Sequence, residues 1–229
     1  MQILGLNKTT LLDYPEHVAA TVFTGGCNFR CPFCHNMDLV LGEVEPALST
    51  EDFFAFLEKR KGILDGVCIT GGEPTLQKDL PDFIRGIRDK GYLVKLDTNG
   101  YRPKVLEELL RENLLDYVAM DIKSSVENYP RVTGMADLDV TGIQESVSLL
   151  KSAGIPYEFR TTVVKGLHRI DEFDEIGRWL QGAEAYFLQA FRENEKVPDK
   201  SLSSFSEAEM REMKQLAERY IERVELRGI

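Results

Sequence analysis

The sequence predicts an α/β fold, a partial (β/α)6 barrel of the TIM type that is open on one side and carries a C-terminal helix. Three observations predict it. Short β-branched runs alternate with longer segments of helical periodicity, and the connections between them are short. The residues least expected in a core stand at or toward the carboxyl ends of the predicted strands, the face on which α/β barrels build active sites. Six or seven strand–helix units suit a curled sheet, whereas a closed barrel normally uses about eight. The 229 residues suit a single domain over 1–229, with no repeat beyond the architectural one.

The first predicted strand, "HVAATVF" (17–23), delivers the chain to a cysteine-rich loop at 24–36. A helix over 49–60 opens on Ser49, a capping residue, with Asp52 three places on. "GVCIT" (66–70) is a strand, and the following helix over 78–91 stops near Gly91. "YLVKLDT" (92–98) and a helix over 102–113 repeat the pair, with Pro103 placed for a first helical turn. "DYVAMDIK" (116–123), a helix around 141–153, "YEFRTTVV" (157–164) and a helix around 171–181 continue the alternation. "AYFLQAF" (185–191) is the sixth strand; a polar loop (192–204), a long helix over about 206–224 and a short strand in "VELRGI" complete the chain.

Hydrophobic residues make up 43% of the chain, enough for a substantial core. No apolar run approaches the roughly 18 residues of a membrane helix. The first residues lack the charged-then-apolar pattern of an export signal, so the expectation is a soluble cytoplasmic protein. The formal charge of −10 argues against nucleic acid as a partner, because a binder of phosphate backbones normally presents a basic face. Four cysteines in a reducing compartment, three of them crowded together, point to metal or redox chemistry rather than disulfides. Cys68, in the apolar run "GVCIT", reads as a buried structural thiol.

In "TVFTGGCNFRCPFCHN" the spacing is Cys27-x-x-x-Cys31-x-x-Cys34. Thiolates ligate iron–sulfur clusters, usually one per iron, so three of them leave one iron of a four-iron cluster without a protein ligand. That iron is then available to a substrate or cofactor, which an electron carrier with four cysteines would not allow. The alternative is structural zinc with His35 as fourth ligand. Against it, His35 adjoins Cys34, and no distant second pair of ligands is present.

"CNFRCPFCHN" resembles the cluster loop of radical S-adenosylmethionine (radical SAM) enzymes, and its "CHN" ending resembles the glycyl-radical-enzyme activating branch. "TGGEP", "DTNG" and "DIK" follow in the order of that family, so the resemblance covers most of the chain. It is most like the anaerobic ribonucleoside-triphosphate reductase activating proteins. The resemblance implies that Cys27, Cys31 and Cys34 hold a [4Fe–4S] cluster at which S-adenosylmethionine is reductively cleaved to a 5′-deoxyadenosyl radical. It implies a glycyl radical enzyme as partner, anaerobic ribonucleotide reductase first, and reduced flavodoxin or ferredoxin as electron donor.

The same resemblance assigns the cofactor contacts. Gly71, Gly72 and Glu73 would line its amino group, although a Gly-Gly-x-Pro stretch is by itself an ordinary turn. Asp97, Thr98 and Asp121 would lie near its carboxylate and ribose, where some relatives hold a monovalent cation, and Asn99 would be a further cofactor contact. Lys123 would help bind the carboxylate; a plain Asp121–Lys123 salt bridge is the competing reading, since the two share a strand face. Arg160, a cation inside an apolar strand, requires a carboxylate partner from the protein or the cofactor. Gln189 would lie toward the adenosine end, although Phe191 stands where some relatives have histidine. His17 and His168 lack ligand spacing and read as surface or loop residues. Two other functions stay open: radical chemistry on a small molecule, in the manner of 7-carboxy-7-deazaguanine synthase, and a non-enzymatic zinc module.

Overall fold

The expected alternation of strands and helices is present in the computed structural model, which describes residues 1–42 and 44–229. It adds one strand that the sequence did not suggest, β1 (Ile3–Thr10), antiparallel to β2 (Ala19–Thr24). Only the ends of β1 are buried, so "ILGLNKTT" lacks the alternation that marks a half-buried strand. The chain divides into two compact units: 1–28, 38–98 and 102–119 in the first, and 29–37, 99–101 and 120–229 in the second.

In the first unit, β2, β3 (Gly66–Gly71) and β4 (Leu93–Thr98) run parallel, with Thr21, Cys68 and Lys95 in register across them. Between them lie α1 (Met37–Leu41), α2 (Thr50–Glu58) and α3 (Leu80–Arg88). Ser49 caps α2 as expected, its hydroxyl accepting from the Asp52 amide at 3.0 Å. Phe53 of α2 and Phe83 of α3 stack at 5.3 Å, and Leu80, Ile84 and Ile87 complete the apolar stripe of α3. Next comes α4 (Pro103–Arg111), whose proline stands in its first turn. β5 (Tyr117–Asp121) then runs from this unit into the second.

The second unit contains α5 (Tyr129–Thr133), α6 (Thr141–Lys151), β6 (Tyr157–Val163), α7 (Glu172–Trp179), β7 (Tyr186–Ala190), α8 (Glu207–Ala217) and β8 (Val224–Arg227). β6, β7 and β8 are parallel neighbours. The expected long helix over 206–224 is shorter than its sequence suggests. It starts with a full capping box between Ser206 and Glu209 but stops at Ala217. Past it the chain is recruited to the sheet: the Arg223 carbonyl accepts from the Tyr186 amide at 2.9 Å, and the residues that follow form β8. Among the described residues no helix is long and apolar enough to cross a membrane.

Candidate active site

In the first unit the glycines after β2 and β3 form a backbone-to-backbone seam. The Gly72 amide donates to the Thr24 carbonyl at 2.9 Å and the Glu73 amide to the Gly26 carbonyl at 2.8 Å. A Cβ on Gly72 would stand 1.9 Å from the Gly26 oxygen; one on Gly71, where φ is +118°, would stand 2.3 Å from the Thr24 nitrogen. The Gln77 side chain adds a bond to the Gly25 carbonyl at 2.8 Å. The "TGGEP" glycines, which the sequence offers to a ligand, thus meet the chain leading into Cys27.

Glu73 is buried at 1% exposure, and its Oε1 accepts from the Thr75 amide (3.1 Å), the Thr75 hydroxyl (2.5 Å) and the Thr98 hydroxyl (2.7 Å). Two predicted site residues, Glu73 and Thr98, are therefore joined directly. Asp97 is ion-paired with Lys95, a buried lysine that also lies 3.8 Å from the Cys68 sulfur. Lys95 was not among the sequence candidates; alternation along β4 puts it on the face of Asp97.

In the second unit Cys31 is buried and Cys34 half-buried, and a turn joins them through the Cys34 amide and the Cys31 carbonyl at 3.1 Å. The loop is held by the Arg30 amide on the Thr133 carbonyl (2.9 Å) and by the Asp199 amide on the Pro32 carbonyl (3.0 Å). His35 Nε2 lies 2.7 Å from the Arg192 carbonyl, and its ring stacks on Phe191 at 5.6 Å. Asn99 is buried and accepts from the Tyr101 amide at 3.0 Å, which shapes the turn after β4. Gln189 is half-buried in β7, in register with Thr162 and Arg227. All four cysteines carry thiols rather than disulfides.

Asp121 receives Lys123 Nζ at 3.0 Å on one oxygen and Arg160 at 3.0 Å on the other. Arg160 therefore has its carboxylate within the protein. Burial would raise the carboxyl of Asp121, but the two cations outweigh it and hold it at about 2. Burial would likewise strip the proton from Lys123; the charges of Asp121 and then Cys31 outweigh it and raise that group. The folded value of Asp121 lies below the ordinary 3.8, so its stabilising effect is complete above about 3.8 and is lost as the pH falls through about 2. Urea unfolding at a series of acidic pH values is expected to show this slope in the wild type and a smaller one in Asp121→Asn.

His168 lies in the loop between β6 and α7, as expected, but at 5% exposure it is buried rather than at the surface. The Val164 amide donates to its Nδ1 at 3.0 Å, which puts the proton on Nε2, and Nε2 donates to the Lys123 carbonyl at 2.8 Å. Burial lowers its pKa, although the Lys123 carbonyl and Glu172 oppose the shift. Glu172, 1% exposed, accepts from Ser124, from the Ser125 amide and hydroxyl (both 2.9 Å) and from Asn128 (3.2 Å). Burial raises Glu172, but these donors and His168 outweigh it, so its carboxyl is lowered. No spacing in the sequence marks either residue.

The donor chemistry fits an iron–sulfur cluster: three thiols within eight residues, on a loop whose start is locked by the glycine seam. The fit to a monovalent cation is poor, because Asp97 and Asp121 are each ion-paired with a lysine of their own segment.

A protein-family model described as the radical SAM superfamily matches residues 21–180. A protein of Methanocaldococcus jannaschii named as a glycyl-radical enzyme activating enzyme is 32% identical over 99% of this chain and 96% of its own length. A protein of Thermococcus kodakarensis named as a GTP 3′,8-cyclase is 33% identical over 67% of this chain, which spans 50% of the cyclase. The crystal structure of Streptococcus suis SuiB bound to precursor peptide SuiA superposes with a TM-score of 0.71 at 14% identity, over 90% of this chain and 47% of that one. That likeness shows a shared fold. With the cysteine loop inside the matched span and an activating-enzyme relative aligned almost end to end, the chain belongs to the radical SAM superfamily, in its glycyl-radical enzyme activating branch.

Proposed function

We propose that this protein is an activase that installs a glycyl radical on a partner enzyme, anaerobic ribonucleoside-triphosphate reductase in the first instance. The observation that carries this reading is the similarity to the Methanocaldococcus jannaschii protein over 99% of this chain and 96% of that one. When bound, a [4Fe–4S] cluster and S-adenosylmethionine supply one-electron cleavage of the sulfonium to methionine and a 5′-deoxyadenosyl radical, the hydrogen-abstracting agent of this superfamily. Reduced flavodoxin or ferredoxin would provide the electron.

The chain's own residues bind and orient. Cys27, Cys31 and Cys34 would hold the cluster, leaving one iron to the cofactor. Asp121, Lys123 and Arg160 sum to one excess positive charge, a seat for the cofactor's carboxylate. Thr75 and Thr98 fix the Glu73 carboxylate as an acceptor for the amino group. Phe29 and Phe33, both buried, are the apolar members of the loop that limit water near the thiolates. Lys95 already supplies the cation for Asp97, so replacing potassium by choline is expected to leave the affinity of the reconstituted protein for S-adenosylmethionine unchanged. In Lys95→Met that affinity should become potassium-dependent, as titration calorimetry would show.

The deciding experiment is anaerobic reconstitution with iron and sulfide, reduction with dithionite in the presence of S-adenosylmethionine, and detection of 5′-deoxyadenosine by mass. A glycyl radical signal on anaerobic ribonucleotide reductase incubated with the reduced protein would complete the case. The cyclase similarity favours a second reading, radical chemistry on a small molecule. Cofactor cleavage with nucleotide consumption and no radical on the reductase would select it. Zinc bound in place of a cluster would overturn both.

A further inference from the structure

We propose that His168 and Glu172 are positioning residues that set the place of the Lys123 ammonium by clamping the backbone of residues 123–125. This rests on the reading that Lys123 receives the carboxylate of S-adenosylmethionine. β5 ends at Asp121, and beyond it side chains take up most of the backbone polar groups. The Ile122 amide still reaches the Arg160 carbonyl at 2.7 Å, and the Thr161 hydroxyl donates to the Ile122 carbonyl at 2.6 Å. Both polar atoms of the next residue's backbone are then held by buried rings. The Lys123 amide donates to the Tyr129 hydroxyl at 3.0 Å, and the Lys123 carbonyl accepts from His168 Nε2 at 2.8 Å. Glu172 collects the Ser124 hydroxyl and the amide and hydroxyl of Ser125, while Asn128 braces it from the Ser124 hydroxyl (2.9 Å) and the Leu167 carbonyl (3.0 Å).

Tyr129, His168, Glu172, Ser124 and Ser125 are all at most 5% exposed. Burying a carboxylate and an imidazole this deeply costs stability unless every lone pair and proton is met. Here they are met largely by the segment that carries Lys123. A lysine side chain has four soft torsions, so its ammonium is well placed only if its Cα is fixed and its tip is held. Asp121 holds the tip at 3.0 Å, and the clamp fixes the Cα.

The test compares His168→Gln with His168→Asn in the cluster-reconstituted protein. Glutamine carries an amide N–H near the Nε2 position and keeps the bond to the Lys123 carbonyl; asparagine is too short to do so. In His168→Asn, hydrogen exchange across 121–126 is expected to quicken at least about tenfold and the Kd for S-adenosylmethionine to rise about tenfold, the scale of one hydrogen bond lost from an ordered site. Iron content and exchange elsewhere should match wild type, and His168→Gln should restore both readouts to within about threefold. Wild-type exchange and affinity in His168→Asn would overturn the clamp. So would equal losses in both variants with exchange raised evenly along the chain, since that is general destabilisation. Lys123→Met separates the two levels: if it leaves the affinity unchanged, the cofactor reading fails, and the exchange contrast between Asn and Gln still decides the clamp.

Discussion

Replacing Cys31 with alanine is expected to abolish cluster assembly and cofactor cleavage while leaving a folded protein. Cys31 is 8% exposed, so losing its sulfur leaves only a small void, worth about 1 kcal/mol by the usual cost of removing one buried heavy atom. The chemical loss is of another order. With Cys27 and Cys34 alone the cluster retains two thiolates, and the Lys123 ammonium also loses a nearby negative charge. Iron and sulfide analysis after anaerobic reconstitution should show no four-iron cluster, and no 5′-deoxyadenosine should form. Cys68→Ser is the control: Cys68 lies within β3, 3.8 Å from the Lys95 ammonium, and its removal should leave the iron content unchanged. A full cluster in Cys31→Ala, or a lost one in Cys68→Ser, would mean the ligands are misassigned.

Gly72→Ala is the second large effect. The new methyl group would stand 1.9 Å from the Gly26 oxygen and 2.7 Å from its carbonyl carbon, and neither is the end of a flexible side chain. One of the two backbones must move, breaking the Gly72–Thr24 and Glu73–Gly26 hydrogen bonds. Two such bonds and the accompanying shift amount to about 3 kcal/mol, at the severe end for one methyl group. Gly26→Ala is the informative contrast, because nothing lies within 4 Å of its added Cβ. Its cost is the positive φ of 77° alone, about 1 kcal/mol. Urea midpoints should rank wild type, Gly26→Ala and Gly72→Ala in that order. Gly72→Ala should also lose iron after reconstitution, because the displaced segment leads directly into Cys27.

The strands were legible because β-branched, apolar runs bounded by glycine and polar turns have few other uses in a chain of this composition. β3 and β4 appear within a residue of the expected bounds. β1 was not legible, since four of its eight residues form the turn-like polar run "NKTT". The end of α8 failed for the opposite reason. "ERYIERV" has helical periodicity, yet the Arg223 carbonyl accepts from the Tyr186 amide and the chain from Val224 on pairs with β7 instead. Arg160 lies between: the sequence shows that a cation in an apolar strand requires an anion, and the folded chain identifies Asp121.

From the sequence alone come the donor set and its order: three thiols at fixed spacing, a double glycine followed by a carboxylate, and charged residues at strand ends. These are covalent facts, and the chemistry of the types and their spacing is local. The tertiary structure alone decided the pairings. His168 meets Lys123 across 45 positions, Glu172 meets Ser124 across 48, and Gly72 meets Gly26 through the register of β2 and β3. Such contacts depend on strand register and helix packing, which no local pattern encodes. A histidine with no ligand spacing and a glutamate with no motif therefore emerge as supports of the charged array only once the chain is folded.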